Sequence, residues 1–176
     1  MMKNLSGKVS KWSIVNLVGF NITWLGLVFF GNSFIPFAAT LFICHLYFQA
    51  EKNELVLILF VVTIGVLLDS TLEYNSIFVF PKTEYIPLWL ITLWFCFAAT
   101  IRHSLGFLAQ SKILQLLVGG IAAPLSYLAG EKFSAVHLTL STGLSYLLLA
   151  CIWGPLLVFI FLINERLCIE EKCYAK

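Results

Sequence analysis

Residues 34–50 read FIPFAATLFICHLYFQA, and whether this stretch crosses a membrane decides the fold. It is apolar but interrupted by Pro36, His45 and Gln49. Five stronger apolar stretches flank it, near 12–30, 55–72, 85–101, 113–129 and 138–163. A bilayer hydrocarbon core of about 30 Å takes roughly 20 apolar residues per helix. The chain of 176 residues is 60% hydrophobic and 11% charged, against about 25% charged in soluble domains. Its mean hydropathy is +0.94. Little remains for a soluble domain.

Charge decides the weak stretch. Cytoplasmic connections of membrane proteins carry an excess of Lys and Arg. With 34–50 as a span, one side holds Lys3, Lys8, Lys11, Lys52, Arg102, Lys112, Arg166, Lys172 and Lys176, and the other only Lys82 and Lys132, nine against two. Without it the split is five against six and the asymmetry vanishes. The expectation is an all-α polytopic membrane protein: one integral domain over 1–176, six transmembrane helices, both termini cytoplasmic, in a bacterial inner membrane. A net charge of +2, with basic residues scattered, gives no sign of a nucleic-acid partner.

The start, MMKNLSGKVSKW before an apolar run, has the charged and apolar regions of a signal peptide. Asn16 and Asn21 interrupt the run and no Ala-x-Ala-like site follows, so a retained first helix is expected. Cys44, Cys96 and Cys151 fall inside spans, and Cys168 and Cys173 in the tail lack zinc-like spacing to any His or Cys. They read as reduced, unligated thiols, and no cofactor motif or metal site is expected. Gly31-Asn32-Ser33 makes a tight helical hairpin. The longest loop, EYNSIFVFPKTE over 73–84, lies on the outer side. Its run Ile77-Phe78-Val79-Phe80 either lies against headgroups or caps the bundle. Trp12, Tyr85 and Trp89 fall near interfaces, where amphipathic rings settle.

Ionisable groups within spans are costly, usually face the bundle interior and serve as functional pointers. An outer group centres on Asp69, with Glu73 four residues on along the same face. Lys132 and His137 are candidate cations, and Tyr127 and Ser70 candidate hydrogen-bond partners. Asp69, Glu73, Tyr127 and His137 then form an outward-facing pocket for a head group, proton or ion; alternatively Asp69 caps a helix end and Glu73 is solvated. An inner group comprises Asn16, His45, Gln49, Arg102, His103 and Asn164. His45 either relays protons or acts as a base, or makes an interhelical hydrogen bond with Asn16, worth about 1 kcal/mol or less. Arg102 and His103 sit at lipid-phosphate depth. Asn21, near mid-membrane, is expected to face another helix, with Thr23, Thr40 or Thr63 as partner.

The fifth span, LQLLVGGIAAPLSYLAG, offers small residues for close helix approach. Pro124 releases the carbonyl of Gly120, so a kink is expected there. It either lines a cavity or simply shapes the bundle. The aromatic stripe Trp89, Trp94, Phe95 and Phe97, with Trp153, reads as packing or lipid contact, or as a groove for a lipid chain.

Several strings carry a family resemblance: Asp69-Ser70-Thr71-Leu72, Pro87-Leu88-Trp89-Leu90 through Leu93-Trp94, Phe97-Ala98-Ala99-Thr100 to Ser104-Leu105, and Pro124 with Tyr127 and Gly130. From about residue 12 to 160 the chain resembles the bacterial domain-of-unknown-function family 2878, small integral inner-membrane proteins. The resemblance implies no established activity and no catalytic residue. It implies an association with genes for lipid-modifying enzymes of the cyclopropane-fatty-acid-synthase type. Two positions depart from the pattern: Ala123, where Gly is expected, and Phe107, where Trp is expected.

Three functions compete. The first is a non-enzymatic accessory protein binding a membrane lipid, a lipid-modifying enzyme or another membrane subunit. The second is a small transporter or substrate-capturing subunit with Asp69 in its pocket. Its size suits the vitamin-capturing subunits of energy-coupling-factor transporters, but the first span, SIVNLVGFNITW, lacks their Ala-x-x-x-Ala pattern. The third is an intramembrane enzyme using Asp69, Glu73 and His137, or His45 with His103. The depths of the three histidines separate His137 from the other two, which argues against one shared metal.

Overall fold

At Gly31 the backbone takes a left-handed turn, φ +57°, and the first apolar stretch folds back on itself. The computed structural model describes residues 11–81 and 85–174, with side chains to Ile169. Lys3, Lys8, Lys82, Lys176 and the side chains of Lys172 and Cys173 lie outside that description. Helix α1, Lys11–Phe30, and helix α2, Ile35–Phe48, meet at the 3-10 turn Gly31–Phe34. Phe34 lies flat on Gly26, where a Cβ would overlap its ring. Pro36 occupies the first turn of α2, where a missing N–H costs nothing.

Helix α3 is Glu54–Tyr74, α4 Leu88–Ala98, α5 Lys112–Lys132 and α6 Thr142–Tyr174. Among the described residues, four apolar stretches are long enough to cross a membrane: Lys11–Phe48 (the hairpin just described), Glu54–Tyr74, Lys112–Lys132 and Thr142–Ile169. The all-helical, membrane-length character expected from composition is therefore present. The boundaries differ in three places, one being the end of α6, which runs on to Tyr174 past the expected 163. The expected span 85–101 contains only an 11-residue helix, because the chain turns at Thr100, whose hydroxyl donates to the Phe97 carbonyl. The expected span 138–163 begins late, because His137–Leu138 is a strand, β2, paired antiparallel with β1, Phe78–Val79.

That strand pair accounts for the described part of the loop, residues 73–81. Phe78 and Phe80 point inward and are buried, while Val79 between them faces out, so the run caps the bundle. Beneath the cap, Leu57, Ile58, Val61, Leu149 and Ile160 form the main core with Trp94 and Trp153. In lipid the attraction between helices comes from close packing rather than from water exclusion. Helices α5 and α6 supply it with small residues. A methyl on Gly119 would sit 2.5 Å from the Trp153 carbonyl oxygen, and one on Gly154 3.2 Å from that of Leu116. Helix α5 runs unbroken through Pro124, with Gly120 also facing α6 near the Ala150 carbonyl.

Candidate functional site

Asp69 is fully buried one helical turn beyond Gly65 on α3. A Cβ at Gly65 would overlap Trp94, so the glycine lets the indole lie against α3. From there Trp94 Nε1 donates to Asp69 Oδ2 at 2.7 Å, and the Tyr127 hydroxyl donates to Oδ1 at 2.8 Å. Trp94 stacks on Trp153, centroids 5.1 Å apart and planes 4° from parallel. Phe78 of the cap stacks on Tyr127 at 5.1 Å. One carboxylate thus joins α3, α4 and α5, with two donors satisfying its charge.

Of the expected outer group, Asp69 and Tyr127 meet. The cation partners expected for Asp69 are replaced by the Trp94 and Tyr127 donors. His137 lies in β2 with a 68% exposed side chain, 3.8 Å from Glu131. Glu73 is only half-buried, one turn further along α3. Asn21 also differs from expectation: its amide donates to the Leu17 carbonyl of its own helix at 2.8 Å. Thr40 and Thr63 likewise bond back within their helices, at 2.8 Å each.

The inner group converges. Asn16 Oδ1 accepts from the Ser104 amide at 3.3 Å and hydroxyl at 2.7 Å. Its Nδ2 donates to the Ala99 carbonyl at 3.1 Å and stands 3.5 Å from His45 Nδ1. His45 Nε2 lies 2.9 Å from Glu54 Oε1. His103 Nε2 lies 3.1 Å from both oxygens of the same carboxylate. The two imidazoles are 4.8 Å apart, centroid to centroid, and almost perpendicular. Glu54 is 1% exposed, and its Oε2 accepts from the Glu51 amide at 2.7 Å. Arg102, beside the cluster, donates to Asn164 at 2.9 Å and to the Lys52 carbonyl at 2.7 Å.

Glu54 is the residue that sequence reasoning missed. It opens α3, where an acidic residue reads as a solvated helix start favoured by the helix dipole. The available signal was depth: a carboxylate level with two histidines whose ring nitrogens need partners.

Between α1 and α5 lies an apolar cavity of about 310 Å³. Leu17, Phe20, Trp24 and Val28 wall it on α1, Ala122 and Ser126 on α5, and Trp94 and Trp153 at its back. The Trp153 residue is 6% exposed. A second cavity, about 400 Å³, opens between α1 and α2 beside Asn16, His45 and Gln49.

The family model described as Protein of unknown function (DUF2878) matches residues 13–159. Comparison with curated proteins and with solved structures gives no match. The chain belongs to the DUF2878 family.

Proposed function

We propose that this protein is a non-enzymatic lipid-binding accessory of the bacterial inner membrane, which holds an acyl chain in the groove between α1 and α5. The observation that carries the reading is the cavity itself. Its 310 Å³ falls within the range of about 300–1,000 Å³ of small-molecule sites. Along α1 it runs from Leu17 to Val28, about 16 Å at 1.5 Å per residue. That is close to half of a hydrocarbon core of about 30 Å, the depth of one leaflet. Its walls are aromatic and aliphatic, which suits a chain and not a charged substrate. The transporter alternative gains nothing comparable, since both Asp69 oxygens already accept hydrogen bonds.

The topology proposed with it has six crossings and both termini cytoplasmic. Supporting it, α1 and α2 are antiparallel, with Asn16 beside His45 and Gly26 beside Phe34. The short α4 begins beside Asn32, whose Oδ1 accepts from the Trp89 amide, and the turn after it ends beside Asn16. The chain from Trp89 to Ser104 therefore travels the depth of α1. A lipid-modifying enzyme or another membrane subunit is the proposed partner for the bound lipid.

Native mass spectrometry of protein extracted in mild detergent tests the reading. The wild type is expected to carry one lipid, and Ala122→Trp, which fills the groove from α5, to lose it. A lipid-free wild type, or a variant that keeps its lipid, overturns the proposal.

A further inference from the structure

We infer that His45, Glu54 and His103 form a binding site for a divalent first-row transition metal at the inner end of the bundle. Three chain segments converge on it: α2, the start of α3 and the turn after α4. The ligating atoms, two imidazole Nε2 and one carboxylate oxygen, lie within 4.8 Å of one another. Contacts of 2.9 and 3.1 Å between these atoms are close to the edge lengths of a coordination shell with bonds of about 2.0–2.2 Å. Admitting an ion takes small shifts of the three side chains toward one common centre. Perpendicular rings let both nitrogen lone pairs aim at one point, and burial of Glu54 removes competing water.

The donor set selects the ion. Two imidazoles and one carboxylate suit zinc or ferrous iron and leave coordination positions open. Calcium and magnesium require more oxygen ligands than this cluster has.

The surrounding shell makes a specific demand. The Ser104 amide fixes Asn16 with its oxygen toward Ser104, so the Asn16 amide nitrogen faces His45 Nδ1. In this arrangement His45 is protonated on Nε2 and donates to Glu54. Metal at Nε2 moves that proton to Nδ1. Asn16, held by the Ser104 N–H and the Ala99 carbonyl, cannot turn over to accept that proton, so a water in the adjoining cavity would serve as the acceptor for Nδ1. Water is among the outer-shell acceptors that metal-bound histidines use.

Zinc and cobalt are the probes, on full-length protein in detergent carrying a purification tag without histidine. The wild type is expected to retain one zinc per chain through gel filtration. X-ray absorption should give two imidazole nitrogens and one oxygen at about 2.0–2.2 Å, and cobalt should give visible ligand-field bands. Glu54→Gln, which keeps an acceptor for one histidine, and His103→Ala are expected to lose stoichiometric zinc, while His137→Ala keeps it. A wild type that retains no zinc or cobalt, a zinc spectrum without two imidazoles, or stoichiometric zinc in a folded Glu54→Gln protein overturns the inference. The wild-type measurements decide the matter even if both cluster variants fail to fold.

Discussion

Removing the Asp69 carboxylate should unfold the surrounding half of the bundle more readily than any change of charge alone. Asp69→Ala leaves Trp94 Nε1, buried, and the hydroxyl of half-buried Tyr127, donors at 2.7 and 2.8 Å, without an acceptor. An orphaned buried group costs about 1–3 kcal/mol, so the two together cost about 2–6 kcal/mol. Asp69→Asn behaves differently. Its oxygen still accepts from the indole, which only donates, and its NH2 donates to the phenol oxygen, which also accepts. The Tyr127 proton loses its acceptor, and the expected cost falls to about 1 kcal/mol. Equilibrium unfolding in mixed micelles, followed by tryptophan fluorescence, measures both. Equal destabilisation by the two substitutions would refute the reasoning, because it would make charge, not acceptor geometry, the property that matters.

Two further outcomes follow from the same geometry. Gly65→Ala forces Trp94 off α3, and since Trp94 is pinned against Trp153, the overpacking should cost about 1–3 kcal/mol and shift the tryptophan emission. For the proposed topology, Ser76→Cys in a cysteine-free background should react with an impermeant maleimide added outside the cell membrane, and Lys52→Cys only after the membrane is opened. The reverse pattern would invert the bundle.

The helix in the weak second stretch was legible because the Gly31-Asn32-Ser33 turn sets it off from the first, and Gly31 does take a left-handed φ of +57°. The approach of Asn16 to His45 was legible by depth, since the two sit symmetrically about that turn. The end of α4 was not: apolar residues continue through Ala99 and Ile101, so hydropathy sees no boundary where a threonine hydroxyl turns the chain. The β1–β2 pair was hidden because its partners, Phe78 and Leu138, are far apart in sequence and only two residues long each. Asn21 misled for a simpler reason. A buried amide needs a partner, but a carbonyl four residues back on its own helix serves as well as another helix.

The groove between α1 and α5 remains the centre of the account, and photo-cross-linking tests it most directly. A phospholipid with a diazirine in its acyl chain would be incorporated in the membrane, activated, and its adducts mapped by mass spectrometry. Lipid surrounding the bundle labels the exposed outer face of α5, at Leu117, Ile121 and Leu125. An acyl chain in the groove labels the back wall as well, at buried Trp153 and Leu157. Adducts at Trp153 and Leu157 that disappear in Ala122→Trp are the predicted result. Adducts confined to the outer face of α5 in the wild type would contradict the proposed function.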